Sequence, residues 1–129
     1  MQIKVTAIYV DDQEKALAFY TNVLGMAKKA DFGNGAYRWL TVSSADDPNG
    51  VELQLAADTN PVGKAYQQGL FGQSQPAVMF FTGDIKAEHE RIGGRGGKFR
   101  MEPTDVTGST IAQIEDGCGN IVQITQLKW

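Results

Sequence analysis

Residues 3–25, IKVTAIYVDDQEKALAFYTNVLG, decide the fold. Ile3, Val5, Ala7 and Tyr9 alternate with Lys4, Thr6, Ile8 and Val10. Both sets contain apolar residues, which predicts a strand covered on both faces. Asp11 and Asp12 follow, and Glu14 stands three residues after Asp11, the spacing of a capping box that starts a helix. Leu17, Tyr20 and Leu24, with Ala16, Phe19 and Val23, then repeat at helical period. Gly25 stands where a helix would stop in a left-handed turn.

The unit recurs. Residues 77–97, AVMFFTGDIKAEHERIGGRGG, repeat the order of apolar strand, acidic turn, helix and glycine. Placing Val5 on Ala77 aligns Tyr9 with Phe81, Asp12 with Asp84, Tyr20 with Ile92 and Gly25 with Gly97, without a gap. Asp47-Pro48-Asn49-Gly50 leads into Val51–Leu55 as Asp116-Gly117-Cys118-Gly119 leads into Asn120–Ile124, with a small shift. Such self-similarity outranks any single element in deciding architecture.

Between these landmarks the elements follow in order. Met26–Phe32 reads as a strand, and Gly33-Asn34-Gly35 as a hairpin turn. Tyr37–Ser43 is a third strand, with Leu40 and Val42 on one face and Tyr37, Trp39 and Thr41 on the other. Val51–Ala56 is a fourth, setting Val51, Leu53 and Leu55 opposite Glu52 and Gln54. Residues 1–57 make a first module and 58–75 a connector, with a short helix over Val62–Phe71. Residues 76–129 make a second module: strand Ala77–Thr82, helix Ile85–Ile92, a strand near Lys98–Met101, and strands Thr110–Glu115 and Asn120–Gln126. The expected fold class is α+β, paired βαβββ modules forming one curved mixed sheet around a cavity, with the helices outside.

Composition agrees. The 129 residues suit one domain, and a half of about 60 residues would be marginal alone, so both modules should share one core. The chain is 42% hydrophobic and 21% charged, ordinary for a globular protein. The net charge of −3 and scattered basic residues argue against nucleic acid as a partner. No apolar run is long enough to cross a bilayer, and no signal segment opens the chain. The single Cys118 fits a reducing compartment, so a cytoplasmic location is expected.

The pattern resembles the vicinal oxygen chelate superfamily, which includes glyoxalase I, extradiol dioxygenases, fosfomycin-modifying enzymes and bleomycin-resistance proteins. Ile8–Asp12, Ala18-Phe19-Tyr20 with Leu24-Gly25, Asp47–Leu53 and Asp116–Gln123 carry the likeness. The resemblance implies ligand positions on the first and fourth strands of each module. These fall on Val5, Glu52, Ala77 and Gln123. Valine and alanine cannot coordinate, and one carboxylate plus one amide is too little for a first-row divalent ion competing with water. The resemblance therefore implies no metal and no other cofactor here. The only histidine, His89, lies on the predicted second-module helix between Glu88 and Glu90, outside the cavity and solvated.

Glu52 is the tentative catalytic residue. A carboxylate in a partly dry pocket, flanked by Tyr9 and Trp39, is suited to act as a general base. The other reading is a residue held by Gln54, Gln123 or water. Tyr9, Trp39, Met79 and Phe81 are expected to line the cavity, with Glu52, Gln54 and Gln123 as its polar groups, unless those rings fill the space. Gly93–Gly97 follows a helix instead of opening one and carries no phosphate-loop lysine, so it reads as a stop and turn. Cys118 has no neighbouring histidine. The function expected is binding of a small organic molecule by a homodimer. The alternatives are a lyase, isomerase or dioxygenase using Glu52 as base or remnant ligand, and a ligand-free interaction protein.

Overall fold

A computed structural model describes residues 1–129. Strand β1 (Val5–Val10) leads into helix α1 (Gln13–Ala18), which continues as a wider π-helical turn over Phe19–Val23. Strands β2 (Ala27–Asn34), β3 (Tyr37–Ser43) and β4 (Glu52–Ala57) complete the first module. Helix α2 (Pro61–Gly72) crosses to β5 (Val78–Phe81), α3 (Ile85–Gly94), β6 (Lys98–Val106), β7 (Ser109–Glu115) and β8 (Ile121–Leu127). The βαβββ order appears twice, as expected. The sheet orders match as well: β1-β4-β3-β2 and β5-β8-β7-β6. In each, the first strand lies parallel to the fourth and the other neighbours are antiparallel. No helix is long and apolar enough to cross a membrane.

Local chemistry explains the element ends and moves some of them. The N-cap of α1 is Asp12, whose Oδ1 accepts from Lys15 N at 3.0 Å. The expected box from Asp11 to Glu14 does not form. Glu14 instead pairs with Arg38, which also grips Asp31 at 2.8 Å and holds that carboxyl down to about 2. Asp84 caps α3 in the same way as Asp12 caps α1, accepting from Ala87 N, as the repeat alignment requires. Thr21 Oγ1 donates to Leu17 O at 2.6 Å inside the π turn, where Leu24 N reaches back to Phe19 O. Gly25 takes φ +86, the left-handed stop. Its counterpart after α3 is Gly96 at φ +88, one residue before the aligned Gly97. Strand β6 outruns its expected end at Met101, because register shifts on this edge strand absorb Pro103.

One face of each sheet is buried. Ile8, Val10, Leu40, Val42, Leu53 and Leu55 from the first sheet join Ala112, Ile114, Val122 and Ile124 from the second in a single core. Ala16, Tyr20, Leu24, Ile85 and Ile92 complete it from the helical side. Full burial of each large side chain there contributes about 1.5–3 kcal/mol. Long-range polar bonds join the modules. Arg91 donates to Val23 O and Leu24 O, and Arg95 to Asn22 O, so α3 closes the carbonyl end of the first helix. Gln67 of α2 donates to Tyr9 O and Cys118 O, both at 2.9 Å.

The opposite faces stay open. β1 is covered along one side, where Ile8 and Val10 are buried, and on the other only at its end, where Tyr9 meets α2, while Val5 is 40% exposed. Within one chain the two sheets do not curl together around a shared hollow, because the core lies on their helical faces and draws the modules together there.

Candidate functional site

The open face of the first sheet is organised by strand register. Val5 pairs with Glu52, and Glu52 with Ser43. One row further, Ala7 pairs with Gln54, and Gln54 with Thr41. Thr41 Oγ1 donates to Glu52 Oε1 at 2.7 Å and itself accepts from Ala30 N at 3.1 Å. The hydroxyl is buried between two strands, so it fixes the carboxylate. Glu52 Oε2 has no protein partner, and Glu52 is half-buried. Ser43 Oγ, buried and in register with Glu52, makes no hydrogen bond.

Several expected neighbours are elsewhere. Glu52 is held by Thr41, not by Gln54 or Gln123. Tyr9 pairs with Ala56, four residues along the strand from Val5, or about 13 Å. Its ring lies against α2, where a Cβ on Gly63 would come within 2.7 Å of Cε1. Tyr9 therefore packs beneath the connector helix instead of flanking Glu52. Trp39 stands two residues before Thr41 and pairs with Phe32, half-buried on the same open face.

The second sheet carries the rest. Gln123 pairs with Met79 and Gln113. Gln113 Nε2 donates to Gln123 Oε1 at 3.2 Å, and Gln123 Nε2 donates to Thr125 Oγ1 at 3.3 Å and Met79 Sδ at 3.8 Å. Ala77 lies off this row; its N donates to Ile121 O. Met79, not Ala77, is thus the strand partner of Gln123, because β5 is set two residues out of step with the gapless alignment. Met79 is 54% and Phe81 63% exposed. Both border a groove of about 1240 Å³ that runs between the end of the first helix, residues 44–46, β5 and α3. Tyr9, Trp39, Glu52, Gln54 and Gln123 do not line it. The structure brings Glu52, Gln54 and Trp39 together on one sheet and Met79, Phe81 and Gln123 on the other.

Thr41 and Ser43 are the additions to the expected set. Their alternation with Leu40 and Val42 put them on the Trp39 face, but only the β3–β4 register sets them against Glu52.

The donor set does not fit a divalent metal ion. No three His, Cys, Asp or Glu side chains converge anywhere. Val5 and Met79 offer an alkyl group and a soft thioether beside Glu52 and Gln123. His89 is less solvated than expected. It stacks on Phe99 with centroids 4.5 Å apart and pairs with Glu102, both on β6. Cys118 is buried in the β7–β8 turn, and burial, reinforced by Asp116, pushes its thiol up to about 12. A thiol so protonated is no nucleophile near neutrality.

Comparison with known proteins adds an outside measure. The family model described as Glyoxalase/Bleomycin resistance protein/Dioxygenase superfamily matches residues 2–124. Uncharacterized protein YurT of Bacillus subtilis (strain 168) is 45% identical over 126 residues, covering 98% of this chain and 99% of the relative. Lactoylglutathione lyase of Salmonella typhimurium is 30% identical over 132 residues, covering 99% and 94%. The crystal structure of TnmS3, an antibiotic binding protein from Streptomyces sp. CB03234, superposes with a TM-score of 0.79. That match covers 99% of this chain and 97% of TnmS3 at 23% identity, a likeness of fold.

Proposed function

The chain belongs to the glyoxalase/bleomycin resistance protein/dioxygenase superfamily, and from that premise we propose that it binds a small organic molecule, without a catalytic metal, in a cleft between two copies of itself. One observation carries the reading. Glu52 sits half-buried on an open, partly apolar sheet face, one carboxylate oxygen held by Thr41 and the other free to accept a ligand donor. Large apolar side chains stand exposed on the same two faces: Val5 and Phe32 on the first sheet, Met79 and Phe81 on the second. Such patches mark interaction surfaces.

A two-fold pairing that lays the first sheet of one copy on the second sheet of its partner covers both faces and forms two equivalent clefts. Glu52 of one copy then shares a cleft with Gln123 of the other. Trp39, Met79 and Phe81 contact an apolar or aromatic ligand body, while Glu52, Gln54 and Gln123 orient its polar groups. TnmS3, an antibiotic binding protein, supports capture as a use of this fold.

Sedimentation and a thermal-shift screen of aromatic natural products test the proposal. A dimer is expected, with stabilising compounds whose effect Trp39→Ala abolishes. A monomer that no compound stabilises defeats it.

A second reading, an enzyme with Glu52 as general base, draws support from the fixed geometry of that carboxylate and from the 30% identical lactoylglutathione lyase. If Glu52→Gln keeps ligand affinity but ends turnover of a substrate, this reading replaces the first.

A further inference from the structure

One buried hydroxyl goes unanswered. Ser43 is 3% exposed, and its Oγ is the single buried side-chain nitrogen or oxygen atom without a hydrogen-bond partner. A hydroxyl enclosed in that state is unfavourable, and native folds keep few of them. Strand register explains how it arises. Across the first sheet one row runs Val5–Glu52–Ser43–Ala27, and the next runs Ala7–Gln54–Thr41–Ala30. Ala27 offers Ser43 no polar side chain on one side. Glu52 stands directly opposite on the other, where facing Cβ atoms lie about 5 Å apart. Its carboxylate leans instead along the diagonal, where Cβ atoms lie about 7 Å apart, and takes the Thr41 hydroxyl. Ala30 N holds that hydroxyl in place. Ser43 is thus a donor within reach of Glu52 that the carboxylate passes over.

The charge of Glu52 points the same way. Glu52 is the only charged residue in those two rows, and it joins none of the chain's ion pairs. Lys4, beside Val5, and Lys29, in the β2 bulge, both donate to Asn49. On the second sheet the row Met79–Gln123–Gln113 is neutral too. Laying that row over Glu52 strips water from a carboxylate with no counter-charge, which is costly unless a ligand supplies one.

We propose that the ligand is an aromatic amine in its protonated form and that Ser43 positions Glu52 to hold it. Both roles rest on the cleft proposed above. The ammonium donates to Oε2, Glu52 swings back toward its own row, and the Ser43 hydroxyl donates to the same carboxylate. Its two oxygens offer about four acceptor sites, enough for Thr41, Ser43 and two N–H donors. Trp39, two residues before Thr41 on the same face, contacts the aromatic body. Ser43 is therefore unfavourable in the free chain and favourable in the bound one.

The test pairs calorimetric titration with urea denaturation of the full chain. Phenethylammonium should bind saturably, and 2-phenylethanol, its uncharged counterpart, at least about tenfold more weakly. Ser43→Ala should weaken phenethylammonium binding about tenfold, as loss of a bond to a charged group implies. The same change should leave the urea midpoint of the free protein unchanged or higher, since it removes an unpaired hydroxyl. A merely structural serine would lower that midpoint. Ser43→Cys, close in size and with a weak S–H donor, should bind with intermediate affinity. The proposal is overturned if phenethylammonium does not bind, if Ser43→Ala binds it as tightly as wild type, or if the Ser43→Ala midpoint falls. Equal binding of both compounds, lost in Trp39→Ala, overturns it and leaves the cleft standing. A monomer that binds neither compound overturns both.

Discussion

The Tyr20 phenol donates to Asp116 Oδ2 at 2.8 Å, joining the first helix of one module to the last turn of the other with both residues buried. Asp116 also accepts from Cys118 N at 2.7 Å and from Asn120 N and Nδ2 at 3.0 and 2.9 Å. Four donors satisfy one buried carboxylate, and Tyr20 alone comes from the other module. Tyr20→Phe keeps the ring and removes that donor. Loss of a bond to a buried charged group should cost about 1–3 kcal/mol. Urea denaturation should show the drop in midpoint with an unchanged slope; an unchanged midpoint would mean that the bond contributes nothing.

Alkaline pH should destabilise the fold. Cys118 is pushed from 9.0 up to about 12 by burial and then by Asp116, and Tyr20 is raised well above 10.0 by burial and then by Asp116. Both acids hold their protons in the folded chain after the unfolded chain has lost them. Their contribution is complete below pH 9 and declines as pH rises toward the folded values. Cys118→Ala should flatten the fall between pH 9 and 10, measured by denaturation at a series of pH values. In the native wild type, a thiol reagent at pH 8 should label Cys118 far more slowly than in urea.

Two glycines in the β7–β8 turn separate strain from collision. Gly117 has φ +74 with nothing near its missing Cβ, whereas Gly119 has φ +100 and a Cβ there would come within 2.7 Å of Gln67 Nε2. Gly117→Ala should cost about 1–2 kcal/mol, the price of a left-handed alanine. Gly119→Ala should cost more, since it also dislodges the amide that joins Tyr9 O to Cys118 O. Equal losses by thermal denaturation would show that the Gln67 link is dispensable.

Thr41→Val removes the hydroxyl that fixes Glu52 while keeping a β-branched shape. It should weaken binding of whatever compound the stabilisation screen returns about tenfold, from loss of a bond to a charged group worth about 1.5 kcal/mol. Calorimetric titration at matched protein concentration would measure it. Unchanged affinity would remove Glu52 from the site.

The two modules were legible because their signals are local. Alternation in Tyr37–Ser43 assigned Leu40 and Val42 to the core and Thr41 to the other face, and the structure agrees. Asp12 and Asp84 were aligned from the repeat, and both cap helices. The cap expected at Asp11 lies one residue later because Asp12 offers the same side chain, and no box closes there because Lys15 stands three residues on. The match of Ala77 to Val5 does not carry over to strand pairing, where Val5 faces Glu52 but Met79 faces Gln123, because sequence similarity is blind to the register of a parallel pair.

The amino-acid sequence by itself determined the elements, their order and their doubling, since alternation, helical period and turn residues act over a few positions. Tertiary structure alone decided that both sheets turn their helical faces to one core and leave Glu52 and Gln123 on separate open faces. It also paired Tyr20 with Asp116, residues 96 positions apart. Such contacts depend on which buried faces and polar groups can be satisfied together, a condition of the whole assembled chain and of no short stretch within it.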